Sequence, residues 1–149
     1  MALFIALISV VMMIISDLRF RKVSLYALLI FGGCTLMHIC LESGFIICIN
    51  NVIGNVLLLI LMGLTGILWF YVTGSPHKLN KALGCGDIIF FAAISPIFQF
   101  YEYLIFLTAS FTISLLWWLI IFFTTKRRTT IPLVAISGVC YIVYVYLLN

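Results

Sequence analysis

From Phe45 to Val72 the chain runs for 28 residues without a charged side chain, and this restricts what it can fold into more than any other feature. An α-helix rises about 1.5 Å per residue, so roughly 20 apolar residues cross the ~30 Å hydrocarbon core of a bilayer. The stretch exceeds one straight crossing, leaving room for a short interfacial or re-entrant piece before the span itself. Similar apolar runs cover Met1 to Ser16, Leu25 to Leu41, Asp87 to about Pro96 or Phe100, Tyr103 to Thr125, and the residues after Pro132. With 66% of residues hydrophobic and 8% charged, no part of the chain is polar enough to form a soluble domain. The pattern predicts an all-α integral membrane bundle of about six transmembrane helices, forming one domain over residues 1–149. No stretch alternates polar and apolar residues as barrel strands do.

The charges sort onto this map. Arg19, Arg21 and Lys22 follow the first run, Lys78 and Lys81 the third, and Lys126, Arg127 and Arg128 the fifth, while Glu42 and Glu102 fall in the two opposite turns. The positive-inside rule then predicts cytoplasmic odd-numbered loops and both termini outside. Met1 to Ser16 lacks the basic start and small-residue cleavage site of a signal peptide, and reads as a retained first span. Pro96 is placed to kink or end the fourth run, and Pro132 suits a first helical turn, where its missing N–H costs nothing. The net charge of +4 resides in dispersed loops rather than on a polar face, which argues against nucleic acid as a partner.

Two acids remain, Asp17 closing the first run and Asp87 opening the fourth, and the map puts both at the cytoplasmic boundary. A carboxylate at the edge of hydrocarbon costs at least a few kcal/mol, so it is rarely placed there without a use. If helix packing brings the pair within reach, both cannot ionise easily and they hold one proton between them. One carboxylate can then take a proton from water while the other gives one to a carbonyl oxygen, the chemistry of aspartic proteases. Each residue alone also has a plain structural reading: Asp17 as a salt-bridged boundary residue beside Arg19 and Arg21, and Asp87 as a helix cap. Gly84 and Gly86 allow a tight turn and a close approach of another chain just before Asp87.

Gly84-Cys85-Gly86-Asp87 resembles the G-x-G-D motif of the intramembrane aspartyl proteases, specifically the type IV prepilin peptidases. The likeness takes in Asp17-Leu18-Arg19-Phe20-Arg21-Lys22-Val23, similar to the family's first catalytic stretch, and continues in Ala92-Ala93 and Ile131-Pro132-Leu133. It implies a G-x-G-D protease-like fold in which Asp17 and Asp87 are the catalytic pair and Gly84 and Gly86 leave room for an extended substrate backbone. It also implies that the enzyme removes the basic leader of a prepilin or pseudopilin after a glycine, at the cytoplasmic face of a bacterial inner membrane. The family's lysine two residues after the second aspartate is Ile89 here, and Val23-Ser24-Leu25 replaces its usual proline and asparagine. The cytoplasmic region with paired C-x-x-C motifs found in many members has no room in 149 residues. The chain therefore resembles the short, peptidase-only branch found with tight-adherence pili, and neither S-adenosylmethionine nor any other cofactor is expected.

Cys34, Cys40, Cys48, Cys85 and Cys140 show neither C-x-x-C spacing nor a disulfide framework and read mostly as small buried hydrophobes. Cys85 touches the motif but has no histidine at a spacing that would activate it. His38 and His77 are far apart and lack ligand neighbours, so no metal site is expected. Asn50, Asn51 and Asn55 suit interhelical hydrogen bonding or interfacial exposure, with a water path to the acids as the alternative. Two rival functions use the same acids: an inactive membrane assembly partner of a pilus or secretion apparatus, and a small proton pathway, the latter weakened by the absence of an internal repeat.

Overall fold

The computed structural model describes residues 2–20, 23–73, 84–125 and 132–148. Its elements are six helices: α1 (Ala2–Phe20), α2 (Leu25–Glu42), α3 (Phe45–Val72), α4 (Cys85–Ile94), α5 (Phe100–Thr125) and α6 (Leu133–Leu148), with no strand among the described residues. Arg21, Lys22, His77, Lys78, Lys81, Lys126, Arg127 and Arg128 lie outside the described residues, and with them most of the basic side of the charge map. Three segments are long and apolar enough to cross a membrane: Leu25–Glu42, Phe45–Trp69 and Phe100–Thr124.

The apolar side chains mostly face outward. Leu57, Leu61, Leu64 and Leu68 of α3 are all exposed, an arrangement that water would penalise and lipid does not. Because the surroundings are as apolar as the side chains, the inside is marked by aromatic packing and small or polar residues. Phe31 of α2 stacks on Phe90 of α4 with ring centroids 5.9 Å apart and meets Tyr141 of α6 edge-on at 5.5 Å. Phe98, between α4 and α5, packs against Phe106 and Tyr144 at 4.9 and 4.5 Å.

The run Phe45–Val72 is one continuous helix of 28 residues, about 42 Å long, rather than two pieces. Only Ser43 and Gly44 separate it from α2, and Gly44 makes the reversal at φ 90°, a conformation natural to glycine. By contrast α4 stops after 10 residues, about 15 Å and half of a bilayer core. The fourth run is thus a half-length helix followed by an irregular turn through Pro96.

Non-helical backbone between apolar helices of a membrane bundle is tolerated only where protein partners take up the freed groups, and the bundle supplies them. The Tyr103 hydroxyl donates to the Phe91 carbonyl at 2.9 Å, and Thr35 Oγ1 donates to the Ala93 carbonyl at 3.2 Å. Ser95 Oγ donates to the Ala92 carbonyl at 2.7 Å. Asn55 Nδ2 donates to the carbonyls of Ser95 and Phe98, both at 2.8 Å, and Asn51 Nδ2 to that of Pro96 at 3.4 Å. At Gly32 α2 lies against Ala93 of α4, with room for a Cβ in ordinary contact at 3.4 Å. Both α1 and α4 pack on α2 and on α6, so these two helices bridge the elements that carry Asp17 and Asp87.

Candidate functional site

Asp17 lies in the last turn of α1, because the helix continues past Ser16 to Phe20. It is buried, and its Oδ2 accepts a hydrogen bond from the backbone N–H of Ala135 at 2.9 Å. Ala135 is in the first turn of α6, where N–H groups have no partner within their own helix and the helix dipole is positive. The carboxylate of one helix therefore caps the start of another. The Arg19 guanidinium lies over the ring of Phe20, 5.4 Å from its centroid, while Arg21, the other residue of the salt-bridge reading, lies outside the described residues.

Asp87 stands three residues after Gly84, the N-cap of α4. Its backbone N–H donates to the Gly84 carbonyl at 3.1 Å, and its carboxylate turns back to accept the Gly84 N–H. This is the reach-back half of a capping box, supplied by an aspartate. Glu102 makes the same contact for α5, accepting the Gln99 N–H at 3.3 Å, and also accepts the Tyr144 hydroxyl at 3.2 Å.

The two motif glycines have different neighbours. A Cβ at Gly84 would lie 2.8 Å from Asp87 Oδ2, so glycine gives the carboxylate its place. A Cβ at Gly86 would lie 3.3 Å from Val23 Cγ2, so glycine there lets the segment after α1 close on α4. The space directly beside each Cα is thus taken by the chain itself, while Gly84 and Cys85 remain exposed on their outer side. Ile89, two residues after Asp87, is 42% exposed.

The acids expected to work together are close enough to act on each other. Asp87 sits in the first turn of a helix too short to span, and burial together with the Asp17 carboxylate pushes its carboxyl above the usual carboxylate range, opposed in part by the Gly84 N–H. Such a pair can hold a proton on Asp87 while Asp17 is anchored by Ala135. An apolar cavity of about 770 Å³ between α1, α5 and α6 borders the site through Leu18 and Ala135. Among the described residues no three His, Cys, Asp or Glu side chains are grouped to hold a metal.

Ala135 and Val23 are the contributors that residue type did not reveal. A main-chain donor has no sequence signature beyond Pro132, which announces that a helix with free N–H groups is about to begin. No family model, curated protein or solved structure matches the chain.

Proposed function

We propose that this chain is a membrane-embedded aspartic endopeptidase of the prepilin-peptidase type, with Asp17 and Asp87 as its catalytic pair. The observation that carries the reading is that two carboxylates 70 residues apart in sequence lie on α1 and α4, helices that both pack on α2 and α6, with Asp17 held by the first turn of α6. In the reaction, Asp17 takes a proton from water as the water oxygen attacks the scissile carbonyl carbon, and Asp87 gives its proton to the carbonyl oxygen. The tetrahedral intermediate then collapses, the C–N bond breaks, and the leaving amine takes a proton from the pair. The substrate is the leader of a prepilin or pseudopilin, presented at the cytoplasmic face of a bacterial inner membrane by a six-helix, G-x-G-D protease-like bundle with lipid around it. Gly84 and Gly86 border the path of the substrate backbone.

Co-expression with a prepilin tests this. Asp17→Asn and Asp87→Asn each abolish leader removal while the chain stays in the membrane fraction; full processing by either variant refutes the dyad.

A second reading, a non-catalytic assembly partner of a pilus or secretion apparatus, draws support from one observation. Both carboxylates already serve as caps, Asp17 on α6 and Asp87 on α4. Leader cleavage by the purified protein in detergent separates the two.

A further inference from the structure

A cavity of about 200 Å³ lies at the end of the bundle away from the two aspartates, between Ala6 of α1, His38 and Glu42 of α2, Ile97, and Tyr141 and Tyr144 of α6. The helix α2 leads to it, starting beside Val23, which touches Gly86, and ending about 26 Å away at Glu42. Tyr141 is 2% exposed and its ring meets Phe31 edge-on, yet its hydroxyl has no hydrogen-bond partner among the described residues. A buried polar group without a partner is costly, and the cavity that Tyr141 lines is where a partner can sit.

The other polar groups on the wall accept hydrogen bonds. Thr35 Oγ1 already donates to the carbonyls of Gly32 and Ala93 at 3.0 and 3.2 Å, so towards a ligand it is an acceptor. His38 Nδ1 stands 3.5 Å from Glu42 Oε1, which favours its proton there and leaves Nε2 of the neutral ring an acceptor. Glu42 is exposed at the rim, and neither Lys nor Arg lines the cavity. Acceptors of this kind around one carboxylate call for a cation rich in N–H groups. A metal ion does not suit them: among the described residues no three His, Cys, Asp or Glu side chains are grouped to hold one, and the volume is room for about six waters. The cation that fits is organic. The rings of Tyr141 and Tyr144 attract its charge, and Ile39 and Val145 cover its short hydrocarbon part.

We propose that this cavity binds a small primary ammonium group, with Glu42, Thr35 Oγ1 and Tyr141 Oη accepting its N–H bonds. The Tyr144 hydroxyl is engaged by Glu102 at 3.2 Å, so Tyr144 contributes its ring. Pairing with Glu42 compensates the ammonium for the water it leaves behind. A free amine such as ethanolamine and the headgroup of phosphatidylethanolamine offer the same chemistry. The site is independent of the peptidase reading, since neither Asp17 nor Asp87 lines the cavity.

Full-length protein in a lipid-free, non-ionic detergent is titrated calorimetrically with ethanolamine and with ethylene glycol, its neutral counterpart of the same size. Phosphatidylethanolamine and phosphatidylglycerol are offered in mixed micelles, and the lipid retained is read by native mass spectrometry. Saturable binding of an amine is expected, with neither ethylene glycol nor phosphatidylglycerol bound. Tyr141→Phe keeps the ring against Phe31 and removes only the hydroxyl; it and Glu42→Gln are each expected to weaken binding about tenfold or more, while Asp87→Asn leaves it unchanged. Binding of ethanolamine alone assigns the site to a free amine, and retention of phosphatidylethanolamine alone assigns it to a lipid headgroup; binding of both supports the shared ammonium chemistry. The proposal is overturned if neither amine binds, if the neutral or anionic control binds as well as its amine, or if either Tyr141→Phe or Glu42→Gln binds as tightly as the wild type.

Discussion

Asp87 shows how much one side chain is shaped by the backbone beneath it. Its carboxylate occupies the space that a Gly84 side chain would need, with Oδ2 2.8 Å from the missing Cβ. Gly84 has φ −72° and ψ 128°, which any residue adopts, so Gly84→Ala leaves the backbone intact but turns the carboxyl aside. On the proposed peptidase reading, displacement of the carboxyl by about an ångström costs about 10²-fold in rate, and that loss of kcat at nearly unchanged thermal stability is the expected result. Comparing leader-cleavage rates with the melting transition checks it. The raised pKa of Asp87 has a consequence for stability whose sign can be checked independently of catalysis. Between the ordinary carboxylate range and its raised value, the folded chain holds a proton that the unfolded chain has released, so stability falls as pH rises through that window. Asp17→Asn removes the neighbouring charge and moves the ionisation of Asp87 to lower pH. Infrared titration of the protonated carboxyl band reads this directly, and an unchanged titration would show that the carboxylates do not interact.

At the scale of elements, α4 and the turn after it separate what composition announces from what packing decides. The run from Ile88 to Phe98 is apolar but for Ser95, and Pro96 signals that its helix ends, yet composition alone does not show that the helix stops after 10 residues. The turn is held by side chains on other helices, above all Asn55, whose Nδ2 reaches two carbonyls at once. Asn55→Leu leaves both without this partner, and each buried unpaired group costs about 1–3 kcal/mol. The combined loss is expected to be about 2–4 kcal/mol, measured by reversible unfolding in mixed micelles. Asn51→Ala removes only the longer 3.4 Å bond and is expected to cost under about 1 kcal/mol. A similarly small loss for Asn55→Leu would show that the turn has another support. Amides at i and i+4 were readable as one helix face; the carbonyls they serve, 40 and more residues away, were not.

Across the whole molecule, the site depends on α1 and α6 keeping their separation, since one carries Asp17 and the other the N–H that holds it. Gly138 sets that distance: a Cβ there would lie 2.9 Å from Ile14 Cγ1 and 3.3 Å from Val10 Cγ1. Gly138→Ala is expected to destabilise the bundle by about 1–3 kcal/mol through overpacking. Gly63→Ala on α3, where nothing lies within 4 Å, is expected to be neutral or stabilising by up to about 1 kcal/mol. Unfolding the two variants side by side checks the contrast. The helical, membrane-type character of the chain followed from the sequence alone, because a run of 28 uncharged apolar residues has few other stable outcomes. That Asp17 and Asp87 lie at the ends of helices sharing neighbours could be suspected from the order of runs and charges. Only the tertiary structure decided that α2 and α6 bridge their helices, that Ala135 holds Asp17, and that α4 ends after 10 residues. Periodicity and composition report the solvent that each residue meets, whereas hydrogen bonds between distant main-chain and side-chain atoms depend on which helices become neighbours.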